Sequence, residues 1–294
     1  MLMKKFLFVT GIMVALSFGI SFSGCDIIDS PYTENAPTTE GPGDTTETSI
    51  RKVLLEDYTG FYCGTCPPAS EIAASLDSIY GERLIVLGVH ANFFAETTHG
   101  APYNSPDLRT PAGEEYYNYF GFVSNPSGMV NRKPFNSSLI LSKDGWSPAV
   151  VQSLQADHEL DIALTPAYTA SNRQLSIQAK VTYKKPGTRK DKLVILLSES
   201  PVIAPQKDYR LPAPSNILDF KHKHVLRGAV NGTWGDTLNI SDNVPVGAVV
   251  ERSYNTTLDN SWNPDNIYII AYVFRDNGTI NDREILQAEE KAIK

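Results

Sequence analysis

Apolar and polar positions follow two regimes along this chain, and the change falls near residue 160. Before it, short unbroken apolar runs alternate with stretches of helical spacing. Val53, Leu54 and Leu55 form one such run and residues 84–89 another, as expected of parallel strands covered on both faces. Between them Ile72, Leu76 and Ile79 recur at helical spacing, and Gly81 stands where a C-terminal cap belongs. Residues 114–120 read as a short aromatic helix, 128–132 as a strand and 148–157 as a closing helix. After about Leu160 the pattern becomes one of strands. Residues 175–183 alternate one by one, and further strand candidates lie at 193–197, 224–227, 237–240, 248–254, 267–274 and 283–288, separated by Gly, Pro, Asn and Asp. The pattern predicts an α/β domain over residues 49–160 and an all-β, immunoglobulin-like sandwich over 161–294.

Two segments depart from these regimes. Residues 93–111 carry Gly100, Pro102 and Pro106 among many polar side chains, and read either as a lid or as a surface insertion. At the other end of the α/β region, residues 1–24 read as a targeting segment. Lys4 and Lys5 precede an apolar core, which is followed by Ser21, Phe22, Ser23 and Gly24 ahead of Cys25. Ser23-Gly24-Cys25 resembles a bacterial lipobox, with Phe22 where Leu is usual; the resemblance implies export and lipid attachment at Cys25. Residues 25–48 then form a tether with three prolines, six acidic residues and no Lys or Arg, a composition that cannot bury enough apolar surface to order itself.

Composition adds little beyond this. The chain has 294 residues, 41% of them hydrophobic, and a net charge of −7, which argues against a nucleic-acid partner. The cysteine count is more telling. Once Cys25 is assigned to lipid, Cys63 and Cys66 are the only cysteines left. One close pair cannot staple a fold of this size, so in an exported protein it points to redox work.

Cys63 and Cys66 lie at a strand-to-helix junction, with Thr65 as candidate cap and Pro67 and Pro68 in the first helical turn. The positive end of a helix dipole and its free N–H groups stabilise a neighbouring thiolate, the form that attacks disulfides. Cys63 is the better-placed nucleophile and Cys66 the resolving partner.

At these residues the chain resembles the thioredoxin superfamily. Asp57 stands six residues before Cys63, where that family carries a proton-relaying carboxylate, and Tyr62 replaces its Trp. Pro126 takes the role of its cis-proline, with Gly121 five residues earlier. The resemblance implies a thioredoxin-like domain over 49–160, with Asn125, Pro126 and Tyr62 contacting an extended substrate. Strand alternation lets only one of Glu56 and Asp57 face inward, and the family spacing favours Asp57. A narrower resemblance covers nearly all of the mature chain. Residues 55–67, the His222–Arg227 element and Gln287-Ala288 are similar to the Omp28-related outer-membrane lipoproteins of Bacteroidetes. That implies a lipid-anchored outer-membrane protein, facing either the periplasm or the cell surface.

Two functions follow as expectations. The first is a thiol-disulfide oxidoreductase acting on protein thiols or disulfides, with Cys63, Cys66 and Asp57 as its chemistry and no cofactor. The second is a non-enzymatic lipoprotein whose β-domain binds a protein or glycan. His222 and His224, two apart on an expected strand, would complete a zinc site with the cysteines only if the β-domain folded over them, and a proline-flanked pair resists metal; no metal is expected.

Overall fold

The computed structural model describes residues 49–294. Cys25, the targeting segment and the tether lie outside them. Among the described residues no helix is long and apolar enough to cross a membrane.

The chain is mostly β, with mixed sheets and few helices. Its first part runs β1 (Val53–Thr59), α1 (Pro67–Tyr80), β2 (Leu84–His90), α2 (Pro111–Phe120), β3 (Ser127–Val130) and α3 (Lys143–Leu154). Strands follow: β4 (Leu160–Thr169), β5 (Gln174–Tyr183), β6 (Asp191–Glu199), β7 (Val202–Lys207) and β8 (Asn216–His222). The last are β9 (Val225–Ala229), β10 (Asp236–Thr237), β11 (Val249–Thr257), β12 (Ile267–Arg275) and β13 (Ile285–Ala292).

The large sheet has the order β13-β12-β6-β9-β2-β1-β3, with β10 also paired to β6. β1 runs parallel to β2 and antiparallel to β3. Strands from both sides of residue 160 thus share one sheet, rather than forming an α/β domain and a separate sandwich. The seam is the pairing of Gly88 with Val225, closed by the Gly88 N–H donating to His224 O at 2.8 Å. A Cβ on Gly88 would stand 3.1 Å from Lys223 O, so the missing side chain is what lets the two strands approach. The smaller sheet, β11-β5-β4, packs on β6 and β12 through Ile162, Ile177, Val181, Ile195 and Ile269, which gives the second half its sandwich-like layering.

The buried strand β1 decides the rest of the layout. Val53 and Leu55 pack with Ala69, Ala73 and Trp146 of α1 and α3, whereas Leu54 and Tyr58 pack with Tyr116 of α2 and Tyr272 of β12. Both faces are therefore covered. In α1 the buried stripe is Ala69, Ala73 and Leu76, and Ile79 is exposed; small residues let the helix lie close to the sheet. β4 escapes the sequence pattern because Pro166 interrupts it, and its position at the sheet edge is what tolerates the proline.

Candidate functional site

β1 ends in a tight turn that delivers the two cysteines to the start of α1. Cys63 N–H donates to Gly60 O at 3.0 Å and Cys66 N–H to Cys63 O at 3.1 Å. The two sulfurs form a disulfide. Cys66 itself is the N-cap of α1, with no side-chain cap. Thr65 does not cap the helix as expected; its hydroxyl lies 3.6 Å from Cys63 Sγ. Both cysteines are 1% exposed.

The insertion after β2 is one reason for that burial. Tyr62 N–H donates to Phe94 O at 3.0 Å, and the Tyr62 ring stacks on His99 with centroids 3.8 Å apart. The second cover comes from the strand part of the chain. Residues 206–210 cross the cysteine turn, and the Gln206 amide donates to Cys63 O at 3.0 Å.

Asp57 and Glu56 are both buried, not one in and one out, because β1 has a covered layer on either side. Glu56 meets Arg132 in a fully buried pair, with N–O distances of 2.7 and 2.9 Å. Asp57 faces the α1 side, where burial pushes its carboxyl up to about 7 and its Oδ1 has no hydrogen-bond partner. It lines a pocket of about 180 Å³ together with Ala73, Val86, His90 and His222.

His90 and His222 were not singled out as a pair by the sequence, yet they form one. His90 Nε2 and His222 Nδ1 are 3.2 Å apart, and His222 Nε2 lies 3.3 Å from Pro205 O. A carbonyl only accepts, so His222 carries its proton on Nε2 and His90 donates from Nε2. That leaves His90 Nδ1 as a lone pair without a partner. Burial, reinforced by His222, holds His90 well below the usual imidazole range, and burial lowers His222 to about 4. His224 follows β8, with φ 52°, and its Nε2 is 3.9 Å from Asp77. The two histidines therefore do not share a strand face toward the cysteines, and a disulfide offers no thiolate to zinc. Among the described residues no group of three or more His, Cys, Asp or Glu is placed to hold a metal ion.

The Asn125–Pro126 peptide is cis, and Asn125 is held by its Nδ2–H donating to Thr59 O at 3.0 Å. Pro126 is half-buried beside it. The late motif residues hold the sheet together. Arg227 pairs with Glu199 at 3.2 Å, and the Gln287 amide accepts from Lys52 N and donates to Ile50 O, both at 2.8 Å, fixing the lead into β1.

Those motif residues fall inside a family match. The family model described as outer membrane protein Omp28 matches residues 113–294, more than half of the chain. This chain belongs to the Omp28 family. It is accordingly an outer-membrane protein, as the family resemblance led us to expect. No curated protein matches it. Among solved structures, this Omp28 chain is similar to HBP35 of Porphyromonas gingivalis, with 16% identity, a TM-score of 0.60, and 83% of this chain and 76% of that one covered. It is also similar to a protein of Agrobacterium tumefaciens, with 11% identity, a TM-score of 0.51 and coverages of 83% and 96%. A domain of the outer membrane lipoprotein Omp28 from Porphyromonas gingivalis matches at 18% identity and a TM-score of 0.30, over 47% of this chain and 91% of that one. At these identities the first two likenesses concern the fold alone.

Proposed function

We propose that this Omp28 chain is a non-enzymatic outer-membrane lipoprotein, held by lipid on Cys25, whose β-rich part binds a protein or glycan partner. The observation that carries this reading is the burial of both sulfurs, each cysteine being 1% exposed beneath the insertion and residues 206–210. A disulfide exchanges only when a thiolate reaches its sulfur, so a covered pair serves as a brace for the turn. The test is insulin-disulfide reduction in the presence of dithiothreitol. The reading expects no acceleration over the dithiothreitol background. A rate that rises with this protein and disappears in Cys63→Ser would overturn it.

A second reading has its own support. The order strand, CxxC, helix, parallel strand is the one expected of a thioredoxin-like domain, and Asp57 is buried on the strand that leads to the disulfide with its carboxyl near 7, able to take and return a proton at neutral pH. In this reading the reduced Cys63 thiolate attacks a substrate disulfide and releases one substrate thiolate. Cys66, losing its proton to Asp57, then attacks Cys63 and releases the other, which leaves the Cys63–Cys66 disulfide. Asn125, Pro126 and Tyr62 would line the substrate's path. A reversible couple between about −120 and −270 mV supports this reading, and a pair still oxidised below about −300 mV counts against it.

A further inference from the structure

The end of β7 and the hairpin turn that follows it lie across the turn that carries the disulfide. Lys207 N–H donates to Phe61 O at 2.8 Å and Tyr209 N–H to Gly64 O at 2.9 Å. Two backbone N–H groups, one at the end of β7 and one in the turn after it, thus bond to carbonyls of the cysteine turn. The Gln206 carboxamide, 2% exposed, reaches Cys63 O between those two bonds, and the Lys207 ammonium stands 4.4 Å over the Tyr62 ring. The Tyr209 ring lies directly on Gly64, where a Cβ would meet it at 2.5 Å. Gly64 does not have a positive φ, so what its missing side chain provides is room for that ring.

The two ends of this segment are held differently. Its inner end belongs to an apolar cluster in which Ala204 packs with Phe61, Tyr103 and Val225. Its outer end rests on Arg210, which forks to Glu71 of α1 at 2.7 and 3.0 Å. That pair is exposed, at 49% for Arg210 and 63% for Glu71, and Tyr209 is itself 60% exposed. Water and salt screen such a contact, so it ties the outer end to α1 only weakly.

We propose that residues 206–210 are a self-docked occupant of a peptide groove over the disulfide. The groove's other ligand is then a polypeptide segment that supplies what this strap supplies: two backbone N–H donors in alternate positions, a side-chain amide, a cation for Tyr62 and an aromatic ring for Gly64. Displacing the strap uncovers the sulfurs. Access to the sulfurs is separate from their turnover, so a negative insulin assay leaves the groove's test intact.

The test uses the full chain and follows reduction of the Cys63–Cys66 disulfide by dithiothreitol, read by thiol trapping and intact mass. Tyr209→Ala is expected to raise the initial rate about tenfold, as local opening replaces a closed state. Gly64→Ala, which pushes the ring away and shortens nothing in the strap, is expected to do the same. A synthetic peptide of residues 204–211 added to Tyr209→Ala is expected to restore slow reduction, which a variant that had merely unfolded would not show. Raising salt should speed the native protein and leave Arg210→Ala unchanged. Native rates in both Tyr209→Ala and Gly64→Ala, or no protection by the peptide, would overturn the groove.

Discussion

Glu56 and Asp57 are neighbours on one strand and are buried on opposite faces of one sheet, one against a guanidinium and the other without a cation. Glu56 completes a pair with Arg132, whose guanidinium also lies 4.4 Å from the Tyr116 ring and 5.0 Å from that of Tyr272. Asp57 holds no such partner and lines the pocket it shares with His90 and His222. The same β1 therefore supplies a structural ion pair to the α2 side and a protonable carboxyl to the α1 side.

The buried pair should be costly to break from one end only. Glu56→Gln leaves Arg132 charged and unpaired at 0% exposure, and urea unfolding is expected to show a loss of about 3–5 kcal/mol. The joint change Glu56→Leu with Arg132→Met removes both charges and should recover much of that loss.

Asp57 makes the protein less stable as pH rises. Its folded value, about 7, lies above the ordinary 3.8, so the folded state holds a proton that the unfolded chain gives up between those two values. The favourable contribution is complete below 3.8 and is lost as pH climbs through about 7. Asp57→Asn removes this slope. Relative to its position near pH 4, the variant should gain about 4 kcal/mol over the native protein by pH 8, measured by urea titrations across pH.

The His90–His222 pair acts with the opposite sign. His222 falls from 6.5 to about 4 on burial and His90 shifts the same way, so their contribution is present above 6.5 and is lost as pH drops toward 4. In His222→Phe the His90 Nε2–H has no partner. At pH 7 the expected cost is about 1–3 kcal/mol, and the gap to the native protein should narrow as pH falls from 6.5 to 4.

Docking of the insertion is tested at Gly60. A Cβ there would stand 2.4 Å from Phe94 O, a backbone atom that cannot swing aside. Gly60→Ala should cost about 1–3 kcal/mol and should speed proteolysis within residues 93–110, read by limited digestion and mass.

Much of the layout was legible because local rules and burial agreed. The unbroken runs at β1 and β2 announced strands covered on both faces, Gly81 and the helical spacing announced α1, and one-by-one alternation announced β5. Elements were lost where a proline broke the pattern at an edge, as Pro166 does in β4 and Pro205 in β7. The choice between Glu56 and Asp57 came out as both. Alternation says that neighbours face apart, but only the packing of a second layer says that each face is buried.

By itself the sequence determined the cysteine pair at a strand-to-helix junction, the acid before it, the proline after it and the Omp28 character of the whole, because these rest on residue type and short spacing. Tertiary structure decided what surrounds the pair. Gln206 and Tyr209 lie 140 or more positions from the cysteines they cover, and His222 lies 132 from His90. Nothing local marks such partners. They meet because β2 and β9 join at Gly88, and that single seam carries the β7–β8 hairpin over the disulfide.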